Sequence, residues 1–421
     1  MRFVCRNVCC EAGRNRALLQ LVKAVVVAAL LAACGSSSDV TTDATSDPDA
    51  DVDAPPTPAT GEMRGVWITR FAFSTRAQLE AVIDHAAAAH FNAVFVQIRG
   101  EGDAYYNSSI EPWAKRLSGT LGRDPGWDPL QVSIDRAHMH GMELHAYFNV
   151  FSSWATATTV TVAEGTKQHA LYAHPDWLAV ESDGMNGDSE YRWLSPGIPA
   201  VRAHNTAVAR DLLSKYAVDG LHLDRIRVPG PDYSRDAVTV AAYNTAKAAT
   251  PSLTWADFMR AQVSQQVAEI HAAVTELRPK AKLSAAVWGI YKPLSGCSTS
   301  QGFANFYQDS LGWLAAGTMD AIAPMVYWPI EPGACTDWST LVDGFVAARA
   351  GRQIWAGMHA LDETVFSFPA IRSRIDRSRV NGTHGTVIFA SAYLEPDHWS
   401  AFVDNAGPYA DEAPTPSMSW K

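Results

Sequence analysis

The residues best placed to do chemistry lie in one run, Val218-Asp219-Gly220-Leu221-His222-Leu223-Asp224-Arg225-Ile226-Arg227. Read as a strand, its period of two puts Leu221, Leu223 and Arg225 on one side and His222, Asp224 and Ile226 on the other. A carboxylate at the inward-facing end of such a strand is costly to desolvate. Asp224 is therefore expected either to act on a substrate or to pair with Arg225, Arg227 or Arg99. Asp219 opens the same strand at its other end and reads as a turn or cap residue. A second group of acids, Glu101, Asp103 and Glu111, follows Gln97-Ile98-Arg99 and stands among Tyr105, Tyr106 and Trp113. One carboxyl kept neutral and one kept ionised, beside aromatic rings, is the equipment for cleaving a glycosidic bond. Taken singly, each of the three fits a solvated loop acid or an Asx turn as well. Glu395, before Pro396, is the alternative partner for Asp224.

Substrate contacts are expected from Arg99, His145, Asn149 and His222, which can hydrogen-bond hydroxyls. Trp288, Tyr327, Trp328, His359 and Tyr393 offer flat faces to sugar rings, although core packing explains any one of them equally well. The chain has fourteen tryptophans, and Trp67, Trp288, Trp328 and Trp355 are where that excess would become function. There is no His-Glu-x-x-His, no Cys-x-x-Cys, no Gly-x-Ser-x-Gly and no P-loop, so neither a metal nor a cofactor is expected. His138 and His140, before Gly141, read as helix C-terminal caps.

These residues need elements to hold them. Eight apolar runs have strand character: Arg64–Arg70, Ala93–Gly100, Glu143–Val150, Gly220–Val228, Lys282–Gly289, Ala321–Trp328, Gln353–Ala360 and Gly385–Leu394. Segments of helical period separate them, and this alternation predicts an α/β fold, a (β/α)8 TIM barrel over residues 61–410 with a C-terminal tail at 411–421. The Gly-rich turn of a doubly wound sheet is missing after Arg70. Long connections follow the second to fifth runs, on the side where barrels of this kind build their sites.

Residues 1–33 read as a secretory leader: Arg14 and Arg16 precede an apolar run from Ala17 to Leu30. Leu31-Ala32-Ala33-Cys34 has the form of a bacterial lipobox, so Cys34 is expected to carry lipid and anchor the chain to the cell envelope. Gly35 in place of Asp favours the outer membrane, with the protein facing the periplasm. Residues 34–60 form a tether with six Asp and no Lys or Arg. Cys297 and Cys335 are then the remaining pair able to form an intrachain disulfide, their approach being undecided by sequence. The net charge of −10 becomes −14 once the leader, with five basic residues and one acid, is set aside. That sign disfavours a nucleic-acid partner, and the −8 left to the barrel favours a neutral or cationic glycan over an anionic one.

The ordered set of motifs resembles the bacterial glycosyl hydrolase-like 10 family. It comprises Arg64-Gly65-Val66-Trp67, Phe91-Asn92-Ala93-Val94, Gly102-Asp103-Ala104-Tyr105-Tyr106, Trp127-Asp128-Pro129-Leu130, His174-Pro175-Asp176-Trp177, the run from Asp219 to Arg227, and Pro324-Met325-Val326-Tyr327. The resemblance covers about Glu62 to Tyr393. It implies a TIM barrel acting on β-linked glycans, and relatives include a divisional lipoprotein that cleaves peptidoglycan strands stripped of their peptides. On this chain it implies Asp224 as the catalytic acid of the fourth strand, with Asp103 and Glu111 in the second loop. Gln is common in the family where Met325 stands, and an acid and a Tyr where Arg225 and Val228 stand; these departures bear on substrate specificity. The expectation is an envelope glycoside hydrolase using carboxylates on a polysaccharide, probed against a glycan-binding or scaffolding lipoprotein and against hydrolysis of an amide or ester on the glycan.

Overall fold

The computed structural model describes residues 61–361 and 367–421. The expected leader, tether and Cys34 lie outside the described residues. Eight parallel strands follow one another: β1 (Met63–Ile68), β2 (Ala93–Arg99), β3 (Glu143–Asn149), β4 (Gly220–Asp224), β5 (Lys282–Trp288), β6 (Ala321–Met325), β7 (Gln353–Ile354 continued by Ala356–His359) and β8 (Gly385–Phe389). Each pairs with the next, and β8 returns to β1 through the register Met63↔Gly385 to Trp67↔Phe389. The sheet is closed, as the alternation of the sequence predicts.

Helices cover the outside because their apolar residues recur every three or four positions. Helix Arg76–Ala88 starts at a capping box between Thr75 and Gln78 and buries Leu79, Ile83 and Ala86. Trp255–Leu277 buries Met259, Val263, Val267, Ile270 and Val274 on one stripe. Alternate strand residues such as Leu144, Leu221 and Leu223 meet these helices. The opposite set fills the barrel: Trp67, Phe95, Tyr147, Trp355 and Val387 pack with Ala286 and Ala323. Bulky rings fit only where a facing strand gives room. A Cβ on Gly65 would lie 2.6 Å from the Phe95 ring, and one on Gly220 would lie 2.1 Å from His145 Nδ1.

Two features add to the sequence expectation. The connection after β3 contains a small antiparallel hairpin, Ser152–Ala155 with Tyr191–Trp193. The stretch 411–421 is a plug for the N-terminal face and does not hang free. Met418 enters the interior cluster, Thr415 bonds Glu143, and Trp420 Nε1 and Lys421 Nζ both reach Asp320 at 2.8 Å. At the opposite face Cys297 and Cys335 are joined in a disulfide, their Cα atoms 5.7 Å apart, which ties the loop after β5 to the loop after β6.

Candidate active site

Asp224 is the last residue of β4. Alternation along β4 does point His222 and Asp224 inward, but it stops there. Arg225 takes φ +52°, a left-handed conformation that non-glycine residues adopt at a cost. This turn sends Ile226 into the outer core with Leu221 and Leu223, contrary to the expected grouping with Asp224. The Arg225 side chain turns to the mouth, where it bonds Glu190 at 2.8 Å and lies over the Tyr191 ring. Asp224 is 6% exposed. Its Oδ2 accepts the Tyr147 hydroxyl at 2.6 Å and its Oδ1 accepts the Arg225 amide at 2.6 Å. Arg227 Nη1 stands 3.9 Å from Oδ1, beyond hydrogen-bond reach. Asn149 is paired in register beside Asp224; its Nδ2 donates to Gly100 O, whereas its buried Oδ1 has no partner.

A second carboxyl pair lies after β2. Glu101 Oε1 accepts Arg70 Nη2 at 2.8 Å, and Asp103 Oδ1 accepts the Glu101 amide at 3.0 Å. Burial raises both carboxyls above their ordinary range; the Asp103 charge adds to this at Glu101, while Arg70 opposes it at both. Arg70 Nη2 also donates to the Tyr191 hydroxyl at 2.9 Å. Arg225, whose amide bonds Asp224, lies over the Tyr191 ring. Asp224, Arg225, Tyr191, Arg70 and Glu101 thus run across the mouth as one polar cluster. Glu101 keeps 22% of its side chain exposed, so it is the member of its pair open to a ligand.

Aromatic rings rim the same face. Tyr327 stacks on Phe389 with centroids 5.9 Å apart, and His359 stacks on Tyr393 at 5.4 Å and meets Tyr327 at 5.0 Å. Burial together with the nearby Asp224 charge raises the Tyr327 hydroxyl well above its ordinary range. Trp288 packs at a tilt against Phe306, centroids 4.5 Å apart, and donates to Ser300 O. Trp328 is partly buried and closes against Gly289.

Several expected site residues stand elsewhere. The pairing of β2 with β3 slips between Gln97 and Arg99, and such a bulge re-aims a side chain. Arg99 therefore leaves the interior and lies between barrel and helix, against Phe148. It grips Glu111 through Nε–Oε2 at 2.8 Å and Nη2–Oε1 at 2.6 Å, with Asn205 and the carbonyls of Asn149 and Val150 completing the cage. His204 also reaches Glu111 at 3.1 Å. Both partners are sealed, at 0% and 1% exposure. Arg99 and Glu111 are thus a bracing pair and do not face a substrate. His145 is stacked on Phe95 and bonded to Glu143 at the closed end of the barrel. His222 lies below Asp224, accepting from Trp67 Nε1 at 3.0 Å and paired with Ser284; burial lowers its imidazole to about 3, a neutral acceptor inside the core. Trp67 and Trp355 are equally enclosed. Glu395 is exposed and caps its own helix, Pro396–Val403. His138 and His140 hold Asp219 and Asp84 and do not cap carbonyls.

Sequence reasoning missed Arg70, Tyr147, Tyr191, Glu190, Trp193 and Phe389 as mouth residues. Tyr147 had a usable signal, lying two positions before Asn149 on the inward face of β3. Glu190, Tyr191 and Trp193 had none, because the hairpin that carries them is defined by its packing.

The glycosyl hydrolase-like 10 family model matches residues 62–342. The protein named glycosyl hydrolase DigH from Escherichia coli is 30% identical over 278 residues, covering 62% of this chain and 60% of that protein. Glycosyl hydrolase YngK from Bacillus subtilis is 28% identical over 289 residues, covering 64% and 54%. The chain therefore spans about three-fifths or less of these relatives' own length. Among solved structures, the glycoside hydrolase domain of PgaB (BpsB) from Bordetella bronchiseptica superposes with a TM-score of 0.56 at 15% identity, over 82% of this chain and 97% of that one, a likeness of fold. With its barrel, its motifs and two-thirds of its length matched, the chain belongs to the glycosyl hydrolase-like 10 family.

Proposed function

We propose that this protein hydrolyses the glycosidic bonds of a β-linked polysaccharide, with peptidoglycan glycan strands as the substrate, and that it does so as a lipid-anchored protein of the bacterial cell envelope. One observation carries the catalytic part: two carboxyl groups with opposite surroundings share the barrel mouth. Asp224 is presented as an acceptor, bonded by Tyr147 and the Arg225 amide, and suits a nucleophile or base. Glu101 is raised by burial and by Asp103 and suits the acid that protonates the leaving oxygen. The unlike surroundings of the two carboxyls assign the two roles. The names of the relatives, both glycosyl hydrolases, support the same reading. The Tyr327, His359 and Tyr393 rings and the Trp288 face supply stacking surfaces for sugars. The leader and Cys34 motifs of the sequence support the envelope location.

The test is to incubate the purified protein with peptide-free peptidoglycan strands and follow glycan length by mass spectrometry. Shortened glycans are expected from the wild type, with Asp224→Asn lowering kcat by at least about a thousandfold, the scale lost when a group that acts in the transition state is removed. Binding to sacculi without cleavage would instead support the scaffolding reading. Released acetate at unchanged chain length would support hydrolysis of a substituent.

A further inference from the structure

At the mouth, among the described residues, Arg227 is a cation with buried donors that have no hydrogen-bond partner. It is 7% exposed, and its Nε and Nη1 are enclosed with no hydrogen-bond partner. Its guanidinium lies between two rings, Trp193 at 5.6 Å from the hairpin and Phe306 at 5.7 Å from the loop after β5. Neighbouring cations are occupied: Arg225 by Glu190, and Arg70 by Glu101 and Tyr191. Asp224, at 3.9 Å, is too far to take the Arg227 protons. Burial, with Arg225 nearby, draws this guanidinium down to about 10, although the Asp224, Asp188 and Glu190 charges pull the other way. A guanidinium with donors unspent can meet a carboxylate by two parallel hydrogen bonds, from Nη2 together with Nε or Nη1. Beside Asp224 in register, Asn149 Oδ1 is a buried acceptor also without a partner.

From this geometry we infer that Arg227 is the receptor for a carboxylate carried by the sugar that binds over Asp224, so that the glycan taken by this mouth is acidic at that ring. The inference rests on the hydrolase reading only for the identity of the mouth as the glycan site. It also replaces the expectation, drawn from net charge, of a neutral or cationic glycan: long-range charge is screened by salt within about 10 Å, whereas a buried cation acts at contact distance.

The experiment measures calorimetric affinity of the full-length protein for two carboxylate-bearing tetrasaccharides, each against the same sugar with its carboxylates reduced to alcohols. One is an N-acetylglucosamine–N-acetylmuramic acid tetrasaccharide; the other is a β-linked tetrasaccharide containing glucuronate. The wild type is expected to bind one acidic form at least tenfold more tightly than its reduced form, and which pair shows the difference identifies the source of the carboxylate. Arg227→Gln is expected to make the two forms equal by weakening the acidic one alone. Arg227→Lys, which keeps the charge and loses the fork, is expected to retain part of the preference and decides the matter if the glutamine variant fails to fold. Equal wild-type affinity for acidic and reduced forms, an unchanged preference in Arg227→Gln, or an equal loss on both forms would each overturn the inference, the last because it would make Arg227 a positioning residue for Asp224 alone. Selective binding without cleavage would remove the hydrolase reading and leave this one standing; cleavage of acidic and reduced strands at equal efficiency would do the reverse.

Discussion

Replacing Glu111 by Gln tests whether an acid that sequence reasoning offered as catalytic is instead a brace. The change removes a charge 2.6 and 2.8 Å from the Arg99 guanidinium and leaves that cation enclosed at 0% exposure, its other hydrogen-bond partners being the Asn205 amide and two backbone carbonyls. Removing one partner of a buried pair costs about 3–5 kcal/mol because the other charge is stranded. A unit charge pair at about 4 Å and an effective dielectric near 20 gives about 4 kcal/mol, the same size. At about 2–3 °C per kcal/mol for a barrel of this length, the melting temperature should fall by roughly 6–15 °C. Activity per folded molecule, measured well below the melting point, should stay within about twofold. The pH dependence has a definite sign. Although burial opposes it, the Arg99 charge together with the His204 and Arg99 hydrogen bonds holds the Glu111 carboxyl far below its ordinary 4.5. Its contribution is therefore present above that value and is lost as pH falls towards the depressed folded pKa. Urea titrations of wild type and variant should differ most at neutral pH and converge in acid. Replacing both partners by apolar residues of similar volume should recover much of the loss. An unchanged melting temperature together with a hundredfold fall in activity would refute this reasoning and return Glu111 to the chemistry.

Two further outcomes follow from other parts of the molecule. Asp103→Asn keeps an oxygen for the Glu101 amide but removes the negative charge that helps raise Glu101. A general acid works while protonated, so activity is present below its raised folded pKa and disappears above it; the basic limb of the kcat profile should move to lower pH, and a stationary limb would show that Glu101 is not the acid. Met418→Ala should cost about 2–3 kcal/mol in chemical denaturation by leaving a hole in the interior cluster, with KM unaltered because the plug closes the face opposite Asp224; an unchanged stability would mean that residues 411–421 do not brace the barrel.

The legible part of the site was the part encoded by local periodicity. Asp224 was found because a charged residue ended an apolar run whose alternation put it indoors, and Glu101 and Asp103 because acids beside tyrosines followed a strand. Arg99 misled for a definite reason: a bulge between Gln97 and Arg99 inverts the face of every residue beyond it, and nothing in the run announces it. His145 and His222 share the inward face with Asp224, but depth along the strand, invisible to a period of two, decides whether a side chain meets a ligand or a tryptophan. Glu395 and Glu111 looked equivalent to Glu101 as loop acids, until one capped a helix and the other met a guanidinium.

The sequence by itself determined the eight strands, their order and the face of the barrel that carries the long loops, because apolar period and chain connectivity are properties of neighbouring residues. It also determined that Asp224 would be inward. Only the tertiary structure decided which polar groups are left without partners, since pairing depends on side chains that the fold brings together from separate strands and loops: Tyr147 and Asp224, Arg70 and Glu101, Arg99 and Glu111. Subtracting those pairs leaves Arg227 with its donors unspent, a difference between what the fold buries and what it satisfies that no single segment contains.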